Sequence, residues 1–338
     1  MNRDTTPHPL SRKRLLSLAL GAALCGALAP AATHAAAADG YPSKPIRLLV
    51  PSPSGGGIDL LARMFAQRLS EQMGQSVVVD NIGGAGGTIA AGIVARSAPD
   101  GYTLIFQATN GAVNAAALPN LPFDAVNGFT PVTLAARFPL VMIVNKEVPA
   151  TDARQLVALL KQNPGTYSYG SAGIGTGTHL AAEWFKTLAK VDMLHVPYKG
   201  TGAIMPDLLA NRVQIMFDGL PPQAANIKTG RVRALAVTTT ERSRILPEIP
   251  PLSEVLPGYD LPFWTGIFAP PHTPRDIVDK LAAETRKAVD SPELSQKLRD
   301  FGAKGVGSTP GEFSRFWAAQ VGLYRKILTQ GNIKLEGN

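Results

Sequence analysis

Ser171, His179 and His195 are residue types that acyl transfer uses: a hydroxyl nucleophile and imidazole bases. The run Tyr169-Gly170-Ser171-Ala172-Gly173 comes near the tight turn that exposes such a nucleophile, but that turn needs glycine where Tyr169 stands. Beyond residue 40 the histidines are His179, His195 and His272, and none has the spacing of metal ligands. His179 reads as the start of a helix and His195 as lying in or beside a strand. Cys25 is the only cysteine, so the remainder offers no thiol. We therefore expect no catalytic residues, no metal, no cofactor and no enzyme. An exported hydrolase is the rival from the enzyme class, and it requires turnover that is lost when Ser171 or His179 becomes alanine.

Two glycine loops carry the stronger chemical signal. The first is VPSPSGGGIDLL, residues 50–61; the second runs from Tyr169 through Gly173-Ile174-Gly175-Thr176-Gly177-Thr178 to His179. Each joins a strand-like run to a helix-like one. The first N–H groups of a helix have no intrahelical acceptor, and the dipole there favours negative charge. Glycine lets a ligand approach them, so a phosphate or a carboxylate is the natural guest. A phosphate-binding P-loop would need lysine, and Gly57-Ile58-Asp59 has none. The dinucleotide fingerprint fails at its last position in both loops, at Leu60 and at Thr178. One such loop serves packing as readily as binding, whereas two could hold a ligand from opposite sides. Asp59 reads as a first-turn carboxylate that supports the helix rather than as a ligand contact. Asp218, at the end of a strand, could meet a ligand hydroxyl or amine, or shape the turn.

The elements that must position these loops alternate strand and helix. Strands are expected at 46–51, 77–80, 102–108 and 139–145, then at YSYG, MLHVPY, VQIMFD, VRALAVTT and 263–268. Helices are expected from Ile58 to Gly74, 89–95, 153–161, HLAAEWFKTLA, AIMPDLLAN, a short one ending at Gly230, 274–289, 292–301 and 310–328. Residues 241–262 are proline-rich and read as a crossing linker. The layout predicts two α/β lobes, each a mixed, mostly parallel sheet flanked by helices, with the ligand cleft between them. Residues 39–144 and 260–338 form lobe I and 145–259 lobe II, joined near Val144 and Tyr259.

Residues 1–38 read as a secretory signal peptide. Ser11-Arg12-Lys13-Arg14 is its basic region, Leu15–Leu28 its apolar run, and a small-residue cleavage site lies between Ala35 and Ala38. The formal charge is +8; the leader carries a net +3, which leaves +5 for the rest. Those basic residues are scattered rather than set in a stripe with aromatics, which argues against a nucleic-acid partner. A mild positive field does assist capture of small anions.

The chain resembles the periplasmic solute-binding proteins of tripartite tricarboxylate transporters, the Bordetella-uptake-gene family, from about Tyr41 onward. The carriers are Tyr41-Pro42 with Lys44-Pro45-Ile46, Gly55–Asp59 with Ala62-Arg63, Asn81–Gly87 and Ala98–Leu104. Tyr169-Gly170-Ser171, Gly175–Leu180, His195–Gly200 and Gly230–Val237 complete them. The resemblance implies a two-lobed binding fold in the periplasm. It implies that the protein, a monomer, captures a small organic anion, a mono- or dicarboxylate, for membrane permease subunits. A sensor that signals to a membrane receptor is the alternative. It further implies that backbone groups of Ser54, Gly55, Gly56 and Gly57 and of Ser171, Ala172 and Gly173, with Thr178, hold a carboxylate. Thr109, Asn110 and Asp218 would line the rest. The chain departs from the family at Ser52-Pro53-Ser54, where an aromatic residue and two prolines are usual, exchanging an apolar wall for hydroxyls.

Overall fold

The computed structural model describes residues 40–118 and 120–333, so the expected leader lies outside the described residues. In chain order the first elements are β1 (Ile46–Val50), α1 (Gly57–Met73), β2 (Val77–Asn81), α2 (Thr88–Ala95), β3 (Thr103–Ala108), α3 (Thr109–Ala117) and β4 (Thr130–Phe138). Then come β5 (Leu140–Asn145), α4 (Ala153–Gln162), β6 (Ser168–Ser171), α5 (Gly177–Ala189) and β7 (Leu194–Pro197). They are followed by α6 (Met205–Leu209), β8 (Ile215–Gly219), α7 (Leu220–Lys228) and β9 (Val232–Val237). The last elements among the described residues are β10 (Phe263–Ala269), α8 (Arg275–Asp290), α9 (Pro292–Asp300), β11 (Lys304–Gly305) and α10 (Pro310–Gln330).

The strands form two sheets, ordered β11-β4-β10-β3-β1-β2 and β7-β6-β8-β5-β9. Both are flanked by helices, and the two-lobed α/β expectation holds. The sheets are mixed, with less parallel pairing than expected. β1 lies parallel to β2 and β3, and β6 parallel to β7 and β8. β10 is antiparallel to β3 and β4, and β5 is antiparallel to β8 and β9. The reason is the crossing: β4 and β5 are separated by Pro139 alone, so β5 enters the second sheet without the helical crossover that parallel pairing needs. The change of sheet is therefore at Pro139, and Val144 lies inside β5.

Local chemistry sets the helix ends. Gly74 stops α1 in the left-handed conformation, with φ of 65°. Asp152 caps α4 by accepting from Gln155 N, and Thr309 and Glu312 form a reciprocal capping box at the start of α10. That last helix buries Phe313, Trp317, Val321 and Tyr324 in a core that also holds Trp264 and Phe268 of β10. Each such side chain contributes roughly 1.5–3 kcal/mol by leaving water. Trp264 Nε1 donates to Gln320 at 3.2 Å, and Tyr259 OH donates to Ala181 O of α5 at 2.8 Å. Gly266 of β10 has to be glycine, because a Cβ there would lie 2.2 Å from the Phe313 ring.

Candidate ligand-binding site

β1, β2 and β3 are parallel, so their C-terminal ends share one edge of the first sheet, and α1, α2 and α3 all start there. Ser54, Gly55, Gly56 and Gly57 are exposed along this edge. Gly56, the residue before α1, supplies no side-chain cap, which leaves the first N–H groups of the helix available. Asp59 holds the loop from behind. It is 1% exposed and accepts from Gly55 N at 2.8 Å, Arg63 Nε at 3.1 Å and Asn81 Nδ2 at 2.9 Å. Burial opposes its ionisation, yet these donors together keep its carboxyl below the usual range. Asp59 is thus a brace, as its position in the first turn of the helix suggests.

Asn110, in the first turn of α3, stands at the same sheet edge against Gly86 and Gly87. Its amide donates to Gly86 O at 2.8 Å, Asn114 donates to the same oxygen at 2.9 Å, and Asn110 Oδ1 is buried without a protein donor. Thr109 is already committed: it is 1% exposed, and its hydroxyl accepts from Trp264 N at 3.1 Å. It ties α3 to β10.

In the second sheet, β6 and β8 are parallel neighbours, so Ser171 at the end of β6 and Asp218, one residue before the end of β8, lie toward the same edge. The loop after β6 is internally bonded. Thr178 Oγ1 accepts from Ala172 N at 3.0 Å, Ser171 Oγ accepts from Gly173 N at 3.2 Å, and Thr176 caps α5 by accepting from His179 N at 3.4 Å. The N–H groups of Ala172 and Gly173 are therefore occupied, and a ligand taking them displaces a hydroxyl. The first N–H groups of α5 have no intrahelical acceptor. Asp218 is 5% exposed and accepts from Gln223 Nε2 at 2.7 Å; burial raises its pKa against the pull of Gln223, the Gly219 N–H and the Thr201 hydroxyl.

Beneath this loop lies a feature that sequence reasoning did not find. The rings of Tyr169, His195 and His179 stack, with centroids 4.8 Å and 4.1 Å apart along the pile. His195 Nε2 lies 2.7 Å from Ser171 Oγ, and His179 Nδ1 accepts from Gly175 N at 3.1 Å. Burial, and then His195, push the pKa of His179 down to about 4; burial lowers that of His195 as well. Both rings are neutral near pH 7. The sequence carries no local signal for it, because the β6–β7 register that sets Tyr169 opposite His195 exists only in the assembled sheet. The Ser171–His195 contact has the geometry of a nucleophile and its base. Among the described residues no carboxylate orients His195, since Glu183 bonds Tyr169 OH at 2.5 Å and Lys186 at 2.8 Å.

The two loop edges meet. A Cβ on Gly177, at the start of α5, would lie 3.2 Å from the Phe263 ring and 3.7 Å from Thr109 Cγ2 at the start of α3. The N-terminus of α5, from the second sheet, thus faces the N-terminus of α3, from the first. This arrangement can surround an anion with backbone donors. Among the described residues no group of histidine, cysteine and carboxylate side chains is placed to hold a metal.

Known proteins share this plan. Residues 61–333 match the family described as the tripartite tricarboxylate transporter family receptor. The UPF0065 protein from the tcbD–tcbE intergenic region of a Pseudomonas species is 38% identical over 323 residues, 95% of each chain. Rpa4515 of R. palustris, solved with adipate, is 36% identical with a TM-score of 0.77, over 87% of this chain and 99% of that one. The periplasmic binding protein BugD is 30% identical with a TM-score of 0.75, over 88% and 100%. MatC of Rhodopseudomonas palustris, with bound malate, is 29% identical with a TM-score of 0.73, over 85% and 100%. With its own two-lobed fold and paired glycine loops, the chain belongs to the tripartite tricarboxylate transporter family of receptors.

Proposed function

We propose that this receptor is a periplasmic solute-binding protein. It captures a small organic anion, a mono- or dicarboxylate, between its lobes and presents it to membrane permease subunits of a tripartite tricarboxylate-type transporter. The observation that carries this reading is a glycine loop at a helix N-terminus on each sheet, the first exposed and without a side-chain cap, with the start of α5 approaching the edge of the first sheet at Thr109. The adipate and malate held by Rpa4515 and MatC support a carboxylate as the guest. In this reading Ser54–Gly57 hold one carboxylate end, and Ser171–Gly173 with Thr178 engage it from the other lobe. Asn110 turns its unpartnered Oδ1 toward a ligand hydroxyl or a water, and Asp218 lines the wall. The lobes close about the crossing at Pro139 and the return before β10.

Native mass spectrometry of the protein released from its own cells by osmotic shock tests this reading. A small carboxylate retained by the released protein is the expected result. Retention of a sugar, an amine or a peptide instead would refute it, as would a protein that stays in the cytoplasm.

A further inference from the structure

Behind the crossing strands the chain forms a second hollow, of about 270 Å3. It lies where β4 meets β11, and in the sheet order β10 and β3 stand between β4 and β1, whose loop carries Ser54–Gly57. Neither glycine loop lines it. Leu134, Phe138 and Pro139 give it an apolar wall, and its charged groups are Arg137, Arg242, Arg244, Arg299 and Lys304 against Glu241 alone. Lys304 pairs with Glu241 at 3.0 Å, and Arg242 turns to Glu254 at 3.0 Å. Arg137 reaches Asp260 only at 3.9 Å, and its Nε is buried without an acceptor. Arg299 bonds the neutral Ser295 and Gln296, and among the described residues neither it nor Arg244 has a carboxylate within ion-pair distance. A neighbouring hollow shares Arg244, Arg299 and Lys304 and brings one more carboxylate, Asp290.

Cations crowded into a concave, partly apolar site repel one another until a counter-charge arrives. We propose that this hollow is a second anion site, separate from the cleft, that takes a small multivalent oxyanion between Arg137, Arg244, Arg299 and Lys304. Its concavity and modest volume suit a compact solute better than an acidic polypeptide. Its wall also reaches side chains beside two helix starts. Phe138 stacks on Phe263 at 4.9 Å and meets Phe301 edge-on at 6.1 Å. Phe263 is the nearest side chain to Gly177, at the start of α5, and Phe301 the nearest to Gly57, at the start of α1. The cations come from β4, α9 and β11 of one lobe and from the segment leaving β9 of the other, so an anion bridging them senses lobe closure. Anion and cargo then change each other's affinity by the same factor.

Calorimetric titration with pyrophosphate at low ionic strength tests the site. Wild type should bind one pyrophosphate; the double variant Arg244→Glu/Arg299→Glu should lose roughly tenfold or more in affinity, while Ser171→Ala in the cleft keeps it. The milder Arg244→Ser/Arg299→Ser pair, with melting curves as a control for folding, guards against loss through unfolding. Absence of binding at millimolar pyrophosphate would overturn the proposal. So would binding that survives both arginine pairs, or binding that weakens about 5–10-fold with Ser171→Ala. Capture of a glutamate-rich peptide in place of pyrophosphate would assign the surface to an acidic partner and overturn it too.

Discussion

His179 should make the second glycine loop acid-sensitive. The ring is 4% exposed, stacked on His195 with centroids 4.1 Å apart, and its Nδ1 accepts the Gly175 N–H at 3.1 Å. A proton on Nδ1 would remove that acceptor and place a charge in the stack. Burial first, and the neighbouring His195 second, bring its pKa from 6.5 to about 4. The unfolded chain therefore takes up the proton before the folded one does. The stabilisation from the neutral ring is complete above pH 6.5, declines as the pH falls, and is gone below about 4. Over that interval the loss amounts to about 3 kcal/mol, at no more than about 1.4 kcal/mol per pH unit. The assay is urea unfolding followed by tryptophan fluorescence at several pH values between 7 and 4, for wild type and His179→Gln. Glutamine retains an acceptor for Gly175 and does not titrate. Carboxylates and His195 are common to both proteins, so the difference between them reports His179. Wild type should lose about 3 kcal/mol more than the variant across the interval. Parallel pH profiles would refute the reasoning.

Asp59→Ala should destabilise the protein by about 2–3 kcal/mol, because Gly55 N–H, Arg63 and the Asn81 amide lose a buried acceptor; chemical denaturation measures this, and a change within error would contradict the bracing role. Asp218→Asn should raise the melting temperature at pH 7 and leave it unchanged at pH 3. Burial lifts the folded pKa above 3.8, so ionisation penalises the folded state as the pH rises through that range. A lower melting temperature at pH 7 would count against this. Ser171→Ala should weaken carboxylate binding about 5–10-fold, on the order of one hydrogen bond. The wild-type protein should turn over no ester substrate, since His195 has no carboxylate partner among the described residues; hydrolysis that vanishes in Ser171→Ala would revive the hydrolase reading.

The parts of the fold written in local chemistry were legible in the sequence. Asp152 and the Thr309–Glu312 pair mark helix starts, Gly74 marks an end, and Ile46–Val50 is apolar enough to be a strand wherever it lies. α3 and β4 were not legible. The residue before α3 is Ala108, which offers no cap, and the helix runs on directly from β3. β4 is Thr-Pro-Val-Thr-Leu-Ala-Ala-Arg-Phe, whose strand formers are interrupted by Pro131 and by the Ala135-Ala136 pair; Val132, Leu134, Ala135 and Ala136 are strand because neighbours bury them. At the site, the glycine loops could be read because a glycine run between a strand and a helix has a local meaning. The partners of polar side chains could not. Trp264 occupies the Thr109 hydroxyl from 155 residues away, and His195 reaches Ser171 through β6–β7 pairing. Such contacts belong to the assembled sheets.

The central claim is that the paired glycine loops bind a small carboxylate. The most direct test is the unfolding free energy of the wild-type protein across a panel of mono- and dicarboxylates that includes adipate and malate, repeated with Gly56→Val. The account predicts that at least one carboxylate, at 100 times its Kd, adds about 2.7 kcal/mol. It also predicts that Gly56→Val abolishes the gain, because its side chain covers the exposed N–H groups at the start of α1. A panel that leaves stability unchanged, or a gain that persists in Gly56→Val, would contradict it.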